Sequence, residues 1–397
     1  MHTPLPSAYP LADVTVLDLG QIYQGPYAGF LLAMAGARVI KIEPPQGEPV
    51  RSRRGVSVPL AMLNANKEGI ALDLKSEAGK EAFLQLVDDA DVVLENFLPG
   101  VMDRLGLGGE ALLGRNTRLV YASASGYGST GPYADMLAMD LTIQAMSGMI
   151  NATGFPDQPP VKAGPSICDF LGGAHLYGLI VTALLERART GRGRICEVAM
   201  LDAAYLALTS TIGLHFDDPD ANPRTGSRHA GLAMAPYNVY PSADGYVAII
   251  CVKEEHWQGV ARAMGREELV ADPAYETHAS RCARMEEIDA LVGAWTAGLT
   301  RASLMQMARV HRFPAAPVRT TAEVVQDPHL HQRGMLSEFD HPELGRVTLP
   351  NSPLRFDGLP PMPLRASPTL GQDNARILGS EFAAAAPPSS HAAGARP

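Results

Sequence analysis

The chain opens on alternating short apolar runs and longer amphipathic ones. Val14–Leu19 (VTVLDL) is β-branched and apolar, bounded by turn formers, the pattern of a buried strand. A polar turn, Gln21–Gly25, leads into the helical stretch AGFLLAMAGA, and Val39–Glu43 (VIKIE) makes a second strand. Two strands bridged by a helix within about 30 residues form a βαβ unit, which implies parallel strands and a right-handed crossover. Ile70–Leu74 then reads as a strand, Ala78–Asp89 as a helix, and Val92–Glu95 and Leu119–Ser123 as further strands. The alternation predicts a doubly wound α/β domain on a parallel sheet. Ligands in such folds sit at the carboxyl ends of the strands. Those ends are Gln21–Gly25, Pro44–Pro49, Asn96–Gly100 and Ser123–Gly128.

A longer pattern follows in Val161–Arg189. A turn at Gly164-Pro165-Ser166 meets one acid, Asp169, then Gly172-Gly173, then an apolar helix through Ala174, Leu176, Leu179, Ile180, Ala183 and Leu184. Local sequence leaves Asp169 two readings. It is an N-cap for the helix, or a carboxylate held ionised by the helix end, with glycines letting a ligand approach. Further on, Ile195–Val198 reads as a strand and Leu201–Leu214 as a helix, with a polar junction at His215–Gly231. Ala235–Ala248 reads as a hairpin turning at Asp244-Gly245, followed by helices Glu254–Met264 and Met285–Gly298. The β-rich stretch Gly345–Leu359 is expected to rejoin the first sheet. The expected organisation is a large domain over 1–214, a linker at 215–232, a small α+β domain at 233–328, a returning segment at 329–381, and a disordered low-complexity tail at 382–397.

Bulk composition narrows the function. A length of 397 residues calls for two domains, and 46% hydrophobic with 19% charged residues is ordinary for a globular chain. Net charge is −9, so there is no basic footprint for nucleic acid, and an anionic ligand needs a local Arg and Lys cluster. The four cysteines show neither CxxC nor metal spacing and read as reduced core thiols, with Cys168 notable only for adjoining Asp169. His256, His311, His329 and His331 carry no metal spacing, so no metal is expected. The first residues lack a signal-peptide pattern and no apolar run reads as a membrane span, so a cytoplasmic protein without membrane partners is expected. A dinucleotide fingerprint after the first strand and a Walker loop are both missing, which counts against an NAD enzyme and an ATP-dependent ligase.

Taken in order, VTVLDLGQIYQGPYAG, GARVIKIEPP, NANKEGIALDLK, DVVLENFLPGVMDRLG, ASASGYGSTGPY, GPSICDFLGG, TGRGRICEVAMLDA, PYNVYPSADGYV and DPHLHQRGM resemble a family III CoA-transferase, the group of the carnitine and formyl-CoA:oxalate enzymes. The resemblance runs over about residues 10–375. It implies a Rossmann-like large domain built from both chain ends, a small domain between them, and two chains interlocked as a homodimer. It makes Asp169 the nucleophile, since the family's catalytic acid lies in the segment that here reads SICDFLGG. It places CoA contacts on Leu72, Asp73, Leu74 and Lys75, on Asn96, Phe97 and Leu98, and on Arg104. Lys75 and Arg104 would supply the local positive charge that CoA phosphates need.

Three departures qualify the resemblance. Where relatives carry a functional glutamine this chain has Tyr23, with Gln24 beside it, and either residue is a candidate. The junction Arg224–Leu232 holds only Gly226 and Gly231, which disfavours formyl-CoA and oxalate as substrates. Pro44 follows KIE where some relatives place a CoA-contacting arginine, a role left to Arg51 or Arg53.

The implied activity moves CoA from an acyl-CoA, succinyl-CoA being one candidate, to a small carboxylic acid through aspartyl anhydride and aspartyl-CoA intermediates. No tightly bound cofactor is implied. Backbone N–H groups around Gly172-Gly173 are the expected oxyanion donors, and Asp140 either assists as a hydrogen-bonding acid or caps a helix. Arg224, Arg228 and His229 are candidates for an acceptor's second carboxylate. A 2-methylacyl-CoA racemase is the alternative, but its base would stand at Met139, and methionine cannot take a proton. A CoA-binding paralogue without activity is the other.

Overall fold

The computed structural model describes residues 9–51, 57–380 and 382, so Arg53 and the expected tail beyond Phe382 lie outside it. The chain divides into two compact units. Among the described residues, one comprises those up to Ile143, Pro165–Ala204 and those from Asp327 onward; the other comprises Gln144–Gly164 and Tyr205–Gln326. The sequence reading kept 1–214 together, whereas Gln144–Gly164 groups with the second unit, where Arg224 hydrogen-bonds Asn151 and Gly226 bonds Gly154.

The first unit is built on six parallel strands, β1 (Thr15–Asp18), β2 (Arg38–Glu43), β3 (Glu68–Ala71), β4 (Val92–Glu95), β5 (Val120–Ser125) and β6 (Arg194–Ala199). Their order in the sheet is β3-β2-β1-β4-β5-β6, so the direction of winding reverses between β1 and β4. Neighbouring residues face opposite sides. Val16, Val39, Val92 and Val120 enter one core, and Leu17, Ile40, Val93 and Tyr121 the other. Because helices cover both faces, the central strands β1 and β4 carry apolar residues on both sides, which is why their runs read as continuous rather than alternating.

Two helices cover the first face: α1 (Gln24–Met34), through Ala28, Leu32 and Ala33, and the helix Ile167–Thr190, through Leu176, Ile180, Ala183 and Leu184. We call the latter α2. It is long and apolar enough to cross a membrane by length and composition, with mean hydropathy 1.5 over 18 residues, contrary to the sequence expectation. Here its apolar stripe packs on the sheet and on α1 instead. The opposite face is covered by the helix Glu77–Asp89, through Ala82, Phe83 and Val87. Gly345–Pro350 pairs antiparallel with Leu336–His341 as a separate two-stranded ribbon, so it does not rejoin the parallel sheet as expected.

In the second unit, Tyr237–Ser242 and Gly245–Ile250 form the expected hairpin, with Ser242 opposite Gly245, and Ala315–Pro317 adds a third strand. Trp257, Val260, Ile288, Val292 and Leu304 from three helices pack on this sheet through Tyr240, Val247 and Ile249. The helix expected over Leu201–Leu214 is broken into Met200–Leu206 and Thr209–Asp217.

Candidate active site

Asp169 sits in the first turn of α2, as its third residue. It is therefore not the N-cap. That place belongs to Ser166, whose side chain makes no capping bond. The cap comes from outside the helix. Asp140 Oδ2 accepts the Cys168 N–H at 2.8 Å and the Asp169 N–H at 3.3 Å, meeting two donors that a helix start leaves without partners. Freed from capping, the Asp169 carboxylate faces a cavity of 160 Å³ while only 8% exposed. Burial, and then the charge of Asp140, push its pKa up to about 7, and the Gln24 backbone N–H pulls the other way. Neither of the two sequence readings of Asp169 holds in its simple form: it is not the cap, and its pKa is raised rather than held low by the helix end. Cys168 is fully buried and its thiol is pushed up to about 12, chiefly by burial, which removes it as a rival nucleophile.

Gly172 and Gly173 act by their size. They are the sixth and seventh residues of α2, beyond the four N–H groups that a helix start leaves free, so their amides are not oxyanion donors. A Cβ on Gly172 would stand 2.6 Å from Gln24 Nε2, and one on Gly173 would stand 2.6 Å from the Gln24 carbonyl oxygen. The glycine pair lets the start of α1 lie directly on α2. The backbone N–H of Gln24, at the start of α1, is a donor beside the Asp169 carboxylate.

Of the two candidates, Tyr23 and Gln24, Gln24 is the one that lines the Asp169 cavity. Its side chain is 2% exposed and has no hydrogen-bond partner for Nε2 among the described residues. Tyr23 instead turns its ring toward Phe170, at 6.3 Å between centroids.

The residues implied as CoA contacts gather at strand ends. Leu72, Asp73, Leu74 and Lys75 line a cavity of 380 Å³ after β3, which shares Gln21 and Phe97 with the Asp169 cavity. Phe97 and Leu98 line the Asp169 cavity, as does Asn96, whose amide is committed to the turn after β1. It accepts the Gln21 N–H at 2.7 Å and donates to the Gln21 carbonyl at 2.9 Å. Arg104 and Lys75 are exposed at this edge. Arg51 pairs with Glu43 through Nε at 2.7 Å and Nη2 at 2.6 Å, which commits it to the fold rather than to CoA. In the second unit, Arg228 Nε pairs with Asp289 at 2.7 Å, Arg224 donates to Asn151, and His229 Nδ1 accepts the Gly231 N–H. Met139 lines the Asp169 cavity, where an apolar thioether replaces a proton-transfer base.

Sequence reasoning missed the buried charges beneath the turn after β1, namely Asp18, Lys41, Glu48 and Lys67. A signal was present, since an aspartate inside VTVLDL and a lysine inside VIKIE, Asp18 and Lys41, are out of place in a doubly covered sheet.

The sequence profile of CoA-transferase family III matches residues 11–374. The succinyl-CoA–D-citramalate CoA-transferase of Chloroflexus aurantiacus is 36% identical over 93% of both chains. The succinyl-CoA:mesaconate CoA-transferase of Haloarcula hispanica is 35% identical over 93% of this chain and 95% of its own. Among solved structures, a CaiB/BaiF family protein from Brucella suis superposes with a TM-score of 0.80 at 32% identity, over 94% of this chain and 99% of that one.

Proposed function

The chain belongs to CoA-transferase family III, and we propose that it moves CoA from succinyl-CoA to a small dicarboxylic acid, with Asp169 as the covalent carrier. The observation that carries this reading is the placement of Asp169. A nearly buried carboxylate faces a cavity that shares Gln21 and Phe97 as walls with the one lined by Leu72–Lys75.

Each step balances without ATP. An Asp169 oxygen attacks the thioester carbonyl, the C–S bond breaks, and CoA leaves as a thiolate with an aspartyl–acyl anhydride behind it. The thiolate attacks the aspartyl carbonyl, the anhydride C–O bond breaks, and the donor acid departs, leaving an aspartyl-CoA thioester. The acceptor carboxylate attacks that carbonyl and expels CoA thiolate, giving the second anhydride. The thiolate then attacks the acceptor's acyl carbon and returns Asp169 as a carboxylate. The Gln24 N–H and the unpartnered Gln24 Nε2 supply hydrogen bonds to the oxyanions, and the apolar walls at Ile22, Phe97, Leu98 and Met200 keep water from the anhydride. We take the working form to be an interlocked, cytoplasmic homodimer, to be checked by light scattering and fractionation.

Incubating the protein with succinyl-CoA and a panel of dicarboxylic and monocarboxylic acids, followed by mass spectrometry, should reveal new CoA esters. Hydroxylamine should trap Asp169 as its hydroxamate only after acyl-CoA is added. Transfer to no acid, with α-proton exchange in a 2-methylacyl-CoA instead, would sink the reading.

A further inference from the structure

Beneath the turn that joins β1 to α1 lie four charged side chains with almost no solvent contact. Lys67 Nζ meets Asp18 Oδ2 at 2.7 Å, and Lys41 Nζ meets Glu48 Oε1 at 2.9 Å. All four also grip backbone. Lys41 donates to the Gly20 carbonyl, Lys67 to the Pro26 carbonyl at 3.0 Å, Asp18 accepts the Gly20 N–H at 2.8 Å, and Glu48 accepts the Ile22 N–H at 2.8 Å. Ile22 itself has φ +65°, a left-handed conformation that a β-branched side chain adopts only when its surroundings impose it.

Two observations make this more than packing. Buried ion pairs are poor stabilisers, because the desolvation of the charges offsets most of their attraction, and apolar replacements of similar volume are often neutral or better. Yet every member here is aimed at one segment, Gly20–Pro26. That segment carries Gln24, which lines the same cavity as Asp169, lies against Gly172 and Gly173 one turn further along α2, and lowers the Asp169 pKa through its backbone N–H.

We infer that Asp18, Lys41, Glu48 and Lys67 form a positioning cluster, which forces the turn into its strained shape and so sets Gln24 beside Asp169. The inference rests on the reading of Asp169 as the nucleophile. The four residues touch no substrate; they act through Gln24. Burial pushes Lys67 down to about 8, against the opposing pull of Asp18, in keeping with a charge kept for a purpose other than stability.

The full-length chain tests this in two readouts, one of which needs no turnover. The first is the pH midpoint for carbodiimide labelling of Asp169, followed by peptide mass spectrometry. The groups facing Asp169 are Asp140 and the Gln24 N–H. Loss of the N–H must raise the midpoint, since the carboxylate loses a donor. Lys67→Met and Lys41→Met should both raise it, and Lys80→Met, a surface pair with Glu77, should not. Because Lys67→Met strands the buried Asp18, the double variant Asp18→Asn with Lys67→Met, which removes both charges, guards against simple misfolding. The second readout is exchange from succinyl-CoA, where kcat should fall about 10- to 100-fold with KM for the thioester within about threefold, as for a misplaced catalytic group. A folded double variant with an unchanged midpoint overturns the inference. A wild type without transfer, but with the midpoint moving as expected, overturns the transferase reading and leaves the positioning role standing.

Discussion

Asp140 closes the helix that carries Asp169, accepting the Asp169 N–H at 3.3 Å and the Cys168 N–H at 2.8 Å from a separate element of the chain. One carboxylate therefore performs the capping that the sequence suggests for another. The arrangement has an electrostatic consequence, because Asp140 also works with burial to raise the pKa of Asp169.

Asp140→Asn keeps an oxygen acceptor for the cap and removes the charge. The Asp169 pKa should fall, so the acid limb of the pH–rate profile should move to lower pH while stability stays close to wild type. Asp140→Ala should give the same direction of shift together with a loss of about 1 kcal/mol from the missing cap, read as a lower Tm. An acid limb that stays in place in the Asn variant would show that the two carboxylates are not coupled.

Asp169 also makes stability depend on pH. Its folded pKa of about 7 lies above the ordinary carboxylate value, so between roughly pH 4 and pH 7 the native state binds a proton that the unfolded state does not. Stability from this group is complete below that window and is lost as pH rises through it. Asp169→Asn, which cannot ionise, should escape the loss. Thermal melts should show the variant more stable than wild type at pH 8, by about 1–4 kcal/mol, and indistinguishable near pH 4. A variant less stable at pH 8 than wild type contradicts the raised pKa.

The fold was largely legible because buried strands leave an unambiguous mark. Val14–Leu19 and Val92–Leu94 place apolar residues on both faces, the mark of strands covered on both sides. Asp169 was legible from its place between a turn and an apolar helix, together with the family resemblance. Its environment was not, since the cap from Asp140 and the close approach of Gln24 join residues far apart in the chain. The same holds for Arg51. Its neighbours suggest a free cation at a strand end, and only the fold reveals Glu43 across from it. Likewise Gly172 and Gly173 read as flexible backbone near a ligand, whereas their work is steric.

The glycine pair separates contact with a movable side chain from contact with backbone. Gly172→Ala brings a methyl to 2.6 Å from Gln24 Nε2, the far end of a flexible side chain, so Gln24 should swing away at little cost to folding. Ala is favoured over Gly in a helix by about 1 kcal/mol, which offsets that cost. The variant should stay folded with an unchanged or higher Tm and lose about 10- to 100-fold in kcat. Gly173→Ala meets the Gln24 carbonyl oxygen at 2.6 Å, a backbone atom that cannot give way without moving α1, and the Tyr27 ring at 3.0 Å. It should cost about 1–3 kcal/mol in stability, measured by chemical denaturation. Equal Tm values for the two variants would contradict this division.

The three strand-end cations should divide in the same manner, by what each already touches. Lys75, on the wall of the 380 Å³ cavity, and Arg104 are exposed, so neither is held by the fold and both are open to an anionic ligand. Lys75→Ala and Arg104→Ala should each raise KM for succinyl-CoA by up to about tenfold with kcat little changed, the signature of lost uniform binding. The effect should shrink as ionic strength rises, because charges at the surface are screened over about 8–10 Å at physiological salt. Arg51 should behave in the opposite way. Burial alone would push Glu43 up, but its two bonds from Arg51 hold it below the usual carboxylate range. Arg51→Ala leaves that buried carboxylate without its partner, so it should lower stability by about 3–5 kcal/mol while the surviving enzyme keeps a near-normal KM. Denaturation midpoints alongside thioester KM values for the three variants check the division. A raised KM with intact stability in Arg51→Ala would move that residue from the fold to the CoA site.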